Sequence, residues 1–244
     1  MTDLDPLLDP TGRVEPVQKA IVGGRSLWDD ARARLFRNRA AVISMWILGA
    51  LVLIAVFGPM LWVHKYSTIS DLRTIAPTFD GMHPLGTDLQ GRDLLARLMI
   101  GLRISLMVGI VATAVSLVIG VSWGATAGYL GGRVDNFMMR IVDVLYALPF
   151  IFFVILLNMV FGRNIFMIFL AIGAVEWLTM ARIVRGQTLS IKGKEFIEAA
   201  RAAGVSPARI VTRHVIPNLL GPVAVYVTLT IPIVILAESF LSFL

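Results

Sequence analysis

Five stretches of this chain are long, unbroken and apolar, running approximately over residues 40–63, 104–129, 137–161, 165–181 and 219–244. Crossing ~30 Å of hydrocarbon takes ~20 helical residues at ~1.5 Å each, and every stretch reaches or approaches that length. Only 16% of all residues are charged, where a soluble globular chain carries roughly 25%. Mean hydropathy is +0.80. The apolar surplus has to face lipid, so the expected fold is all-α, that of a polytopic helical membrane protein.

The first apolar stretch is no cleaved signal peptide, because a polar, acidic segment precedes it and no small-residue cleavage site follows. The absence of cysteine excludes disulfides, thiolate metal sites and thiol nucleophiles. A pI of about 10.2 invites a nucleic-acid reading, but the placement of the charge matters more than its sum. With a cytoplasmic amino terminus, the outside loops hold only Lys65, Arg73, Arg92, Arg97, Arg103 and Arg163 of the 22 Lys and Arg residues. That asymmetry orients the chain with its amino terminus inside.

Residues 1–24 are acidic and without period and are expected to form a mobile tail. Residues 25–39 predict an interfacial helix, with Ser26 as N-cap, Asp29 and Asp30 in its first turn, and Trp28, Ala31 and Leu35 on one face. A first span, 40–63, leads into an external segment, 64–103, that Gly81, Gly86 and Gly91 break into turns. There Asp93 and Arg97 can pair at i and i+4. His83 with Asp88 lacks a ligand-spaced partner, so the segment reads as an ordered turn capping the second span rather than a metal site.

The core runs from 104 to 244. Its first helix carries Ala112, Ser116, Gly120, Gly124 and Gly128 on one i to i+4 line, which lets a second helix approach closely in lipid. The short FGRN turn makes an antiparallel hairpin of the third and fourth spans. Ionisable groups at membrane depth are Asp143, Glu176 and Glu238, with Asn158 as a neutral companion. Such groups must face a bundle interior, a partner or water. No opposed intramembrane Lys or Arg accompanies them, so interhelical glue or an interface position is the first reading, and a lining role in a solute path for Glu176 or Glu238 the second.

No phosphate loop, H-E-x-x-H, G-x-S-x-G or histidine cluster occurs, so the chain shows no catalytic machinery and any ATP hydrolysis belongs to another chain. The loop 186–217 contains EFIEAARAAG followed by VSPARIVTRHVIPN. Lys194 to Ala203 predicts a helix with Glu198 and Arg201 paired at i,i+3, closed by Gly204. Ser206 and Pro207 open a second helix expected to stop before Pro217. A DNA-reading helix-turn-helix would use Arg209 and Arg213, but needs a third helix and a core that have no room between two spans. The alternative is a docking lever, with alanines at 199, 200, 202 and 203 as a shallow surface and Phe196 and Ile197 as apolar anchors for a partner.

EAARAAGVSPARIVTRHVIP resembles the cytoplasmic EAA loop of ABC importer permeases, with Glu198, Ala199, Ala200, Gly204, Ile216 and Pro217 in matching places and His214 where an apolar residue is usual. GRSLWDDARARLFRNRAAV, HPLGTDLQGRDLL, ARIVRGQTLSIKGKEFIEAA and ESFLSFL together resemble the C-type permease subunits of oligopeptide and dipeptide importers. The resemblance implies a type I importer permease of MetI-like fold, with five spans here and an expected sixth missing after Leu244. It implies docking on two cytoplasmic ATPase subunits, which bind ATP and Mg, through Glu195, Phe196, Glu198, Ala199, Ala200, Arg201, Gly204, Val205, Ser206 and Arg209. A second homologous permease, an extracytoplasmic peptide-binding protein and the bacterial cytoplasmic membrane complete the implied assembly. Nickel or dipeptide import and a membrane-anchored DNA-binding regulator stand as alternatives.

Overall fold

The computed structural model describes residues 27–149, 152, 156, 159, 160 and 165–243. The expected amino-terminal tail, the Ser26 cap, Asn158, the FGRN turn and Leu244 lie outside the described residues. The chain divides into two compact units, Met1–Ala50 and Leu51–Leu244. Among the described residues all regular structure is helical, and three helices have the length and composition to cross a membrane: Arg39–Leu61, Leu94–Leu130 and Pro207–Phe240.

In the first unit, α1 (Leu27–Arg37) ends at Asn38, where a new helix, α2 (Arg39–Leu61), starts. The Asn38 side chain accepts from the amides of Ala40 and Ala41 at 3.1 and 3.3 Å, which is why the chain restarts there.

In the second unit, residues 64–93 fold into tight turns ahead of α3 (Leu94–Leu130). Asp93 is the N-cap of α3: its carboxylate accepts from the Ala96 amide at 2.7 Å, from Trp62 Nε1 at 3.1 Å and lies 2.8 Å from His83 Nδ1. Burial opposes this carboxylate's charge, but the hydrogen bonds from His83, Ala96 and Trp62 outweigh it and hold its pKa below the usual value. The expected Asp93–Arg97 pair is replaced, because Arg97 turns to Asp88 instead and Asp93 is occupied by its cap. His83 stacks on His64, with ring centroids 4.3 Å apart. Capped at Asp93, α3 begins ten residues ahead of the span expected from hydropathy and so includes Arg103, counted above among the loops.

Gly131, at φ +69°, turns the chain directly into α4 (Gly132–Tyr146). At ~1.5 Å per residue α4 is too short to cross a bilayer. The continuous third span expected over 137–161 is therefore broken after Tyr146, close to Pro149, which disfavours helical geometry in the residue before it. Next comes α5 (Ile165–Lys192), then α6 (Glu195–Ala202) and α7 (Pro207–Ile210). A wide turn over Val211–Val215 joins α7 to α8 (Ile216–Phe243).

The core is the packing of α3 on α5. A Cβ at Gly120 would sit 2.5 Å from the Met180 side chain, one at Gly124 would strike the Ala181 carbonyl, and one at Gly128 would lie 2.8 Å from Thr188 Cβ. Ala112 and Ser116 on the same line are fully buried. Trp123 and Trp177 meet edge to face at 5.3 Å, and Trp123 Nε1 donates to the Met138 carbonyl at 3.2 Å, fixing α4 against the same pair.

Candidate functional site

The cassette from Lys194 to Arg209 is a short helix held rigidly at both ends. At its start the amides of Ile197 and Glu198 return to the Lys194 carbonyl. At its end Gly204 takes φ +75°, its amide donates to Arg201 at 2.9 Å, and the Val205 amide donates to Ala200 at 3.1 Å. These two crossing bonds, with Val205 and Ala200 both packed on one cluster, form the Schellman closure that a left-handed glycine permits.

Two isoleucines pin the cassette. Ile197 and Ile210 are fully buried with Tyr129, Met180, Val184, Val215 and Leu219. Ile197, expected to anchor a partner, therefore anchors the cassette to its own bundle, and of the expected pair only Phe196 is exposed. Glu195, Glu198, Ala199, Arg201, Gly204, Ser206 and Arg209 face outward, and Ala200 and Val205 are half-buried.

Arg201 does not pair with Glu198. Its guanidinium lies 5.2 Å from the Tyr129 ring centre and Nε is 3.3 Å from the phenolic oxygen, while Lys192 Nζ approaches the ring at 5.9 Å. A buried ring is a better-desolvated partner for a cation than an exposed carboxylate one turn away. Tyr129, the last buried residue of α3, thus joins α3 to the cassette, a link that nothing in the local spacing announced.

The second helix runs on through Pro217 instead of stopping. In the wide turn the Ile216 amide bonds to the Val211 carbonyl, five residues back, and the extra room lets the helix continue past the proline ring. The second arm of the cassette is therefore continuous with α8, and among the described residues no separate recognition helix stands beside it.

The membrane-depth carboxylates separate into three environments. Asp143, expected to lack an opposed cation, receives Arg182 Nη2 at 2.8 Å, and Arg182 also lies over the Tyr146 ring at 4.3 Å. One turn of α5 further on, Arg185 donates from Nε and Nη2 to the two carboxylate oxygens of Asp135, at 2.5 and 2.7 Å. Hydropathy hid these pairs because both arginines had been assigned to a loop, whereas α5 carries them alongside α4. Glu238 accepts from Ser105 Oγ at 3.1 Å, tying α8 to α3. Glu176 lines a cavity of about 500 Å³.

Residues 116–244 match the family of binding-protein-dependent transport system inner membrane components. The chain belongs to that family. Residues 26–79 match the N-terminal transmembrane domain of oligopeptide transport permease C. The chain is similar to the oligopeptide transport system permease protein OppC of Haemophilus influenzae, 52% identical over 95% of this chain and 74% of that protein. It is 55% identical to OppC of Escherichia coli (strain K12), over 93% of this chain and 76% of the relative. The dipeptide transport system permease protein DppC of Bacillus subtilis is 44% identical over 90% of this chain and 68% of its own length. As a permease of this family the protein is a multi-pass inner membrane component and a subunit of an ABC transport system that includes partner subunits.

Proposed function

We propose that the chain is the permease subunit of an ATP-driven importer of oligopeptides delivered by an extracytoplasmic binding protein. The amino terminus and the cassette lie in the cytoplasm, a placement that the Lys and Arg asymmetry supports. A second homologous permease completes the pathway, and two ATPase subunits bind ATP and Mg and carry out hydrolysis. The exposed face of α6, with Glu195, Phe196, Glu198 and Ala199, docks on one ATPase, and the path alternates between outward and inward openings.

The observation that carries the coupling role is the way the cassette is built: an exposed alanine-rich face on a helix that Gly204 closes and Ile197 and Ile210 fix to the bundle. A surface mounted this stiffly passes displacement into α3, α5 and α8 rather than absorbing it. The oligopeptide cargo is supported by the OppC relatives, and DppC at 44% identity supports the dipeptide reading. Uptake of labelled di-, tri- and pentapeptides in competition separates the two.

The test is the reconstituted importer carrying Glu198→Lys or Gly204→Asp. Each change is expected to lower peptide uptake by about tenfold or more while the chain stays in the membrane with its partners. Normal import by both variants would sink the docking assignment. Retention of the purified protein on DNA at moderate salt, without co-purifying ATPase chains, would replace it with the regulator reading.

A further inference from the structure

Three of the four acidic residues that α4, α5 and α8 hold within the bundle have partners: Asp135 has Arg185, Asp143 has Arg182 and Glu238 has Ser105. Among the described residues no ion pair or hydrogen bond reaches the Glu176 carboxylate. It is half-buried on α5 and faces the cavity of about 500 Å³ that it shares with Tyr146, Pro149, Thr179, Ile233 and Ala237. That volume lies within the ~300–1,000 Å³ of small-molecule sites.

Two further features make the cavity favour a cation. The 15-residue helix α4 ends at Tyr146 on the cavity wall, so the partial negative charge of its carboxyl end adds to that of Glu176. Arg182, six residues on along α5, is already committed to Asp143 and to the Tyr146 ring. Thr179 stands one helical turn from Glu176 on the same wall, so a carboxylate and a hydroxyl oxygen can accept from one ammonium with three donors.

We propose that Glu176 receives the amino-terminal ammonium of the peptide cargo as it crosses this cavity, with Thr179 as a second acceptor. The assignment rests on the peptide-import reading. A carboxylate at membrane depth is costly without a counter-ion, and a cargo that brings its own cation relieves that cost only while it passes. Every free peptide carries this group whatever its side chains, so such a site selects for peptides without selecting among them.

The experiment uses the full importer complex in proteoliposomes, driven by saturating binding protein loaded with trialanine. Uptake rate, binding-protein-stimulated ATPase and subunit stoichiometry are measured for wild type, Glu176→Gln, Glu176→Asp and Glu176→Lys. The glutamine variant is expected to import about tenfold more slowly and the lysine variant more slowly still. The aspartate variant should stay within about threefold of wild type, with subunit stoichiometry unchanged in all three. Import at the wild-type rate by Glu176→Gln, or a lysine variant no worse than the glutamine one, would overturn the assignment. So would loss of the second permease from Glu176→Gln, which would make the carboxylate an assembly contact. A wild-type complex that moves no peptide would sink the import reading and this site with it, whereas the variant results bear on Glu176 alone.

Discussion

Pro59 lies inside α2 and has no amide hydrogen, so the Ala55 carbonyl four residues back loses its helical donor. Arg103, reaching across from α3, supplies the replacement: Nε donates to the Ala55 carbonyl at 2.8 Å and Nη2 to the Val56 carbonyl at 2.7 Å. Ala55 is 2% exposed, which leaves no room for solvent to substitute. Replacing Arg103 by methionine keeps an apolar stem but strands that carbonyl, at ~1–3 kcal/mol. The loss of charge-assisted bonds adds to this, and the side-chain entropy regained, ~2 kcal/mol, offsets part of it. A net destabilisation of about 2 kcal/mol follows. For a chain of this size that corresponds to about 4–8 °C in Tm, measurable by the thermal unfolding of detergent-solubilised protein. The diagnostic step is Pro59→Ala, which restores an amide at the right place. In that background Arg103→Met should cost about 1 kcal/mol less than it does alone. If the two substitutions add to within ~0.3–0.5 kcal/mol, the arginine does not serve the proline gap and this account of the α2–α3 contact is wrong.

Asp93→Asn should lower stability by ~1–3 kcal/mol through loss of the α3 cap and of its contacts with Trp62 and His83. The folded Asp93 pKa lies below the ordinary 3.8, so its contribution is complete above that value and is lost as pH falls through the lower folded one. Unfolding curves between pH 7 and 3 should therefore show a smaller acid-induced loss for the variant than for wild type. For the Asp135–Arg185 pair, either Asp135→Asn or Arg185→Gln alone should destabilise by about 2 kcal/mol, and the double variant should be milder than the two singles combined; a strictly additive result in thermal unfolding would deny the coupling. Gly124→Leu should disrupt α3–α5 packing, seen as loss of folded protein in detergent size-exclusion profiles, because even a Cβ there meets the Ala181 carbonyl.

Features that depend on period could be read from the sequence; those that depend on which long side chain finds which partner could not. The line from Ala112 to Gly128 was visible because small residues every fourth position have one geometric meaning in lipid, and the α3–α5 contact lies along it. The first arm of the cassette and its glycine closure were visible for the same local reason. Arg97, Arg103, Arg182 and Arg201 are not legible this way, because hydropathy and helical spacing put each in a loop or beside the nearest acid. An arginine reaches several ångströms and takes an acceptor that is not already engaged, so Asp88, the Ala55 carbonyl, Asp143 and Tyr129 win over closer residues in sequence. Pro217 misled in the opposite way: a proline usually ends a helix, but one widened turn ahead of it removes the clash.

That widened turn gives the protein an unusual lever. Because α7, the wide turn and α8 follow one another without a break from Pro207, the tip beside Gly204 and Glu238 deep in the bundle are two ends of a single shaft about 50 Å long at ~1.5 Å per residue. If the cassette docks as proposed, a tilt imposed on it enters this helical run directly and reaches the Glu238–Ser105 tie to α3, with Pro222 and Pro232 as the points where the run can bend. On the proposed reading the cassette is the short arm of a crank whose long arm lies in the membrane.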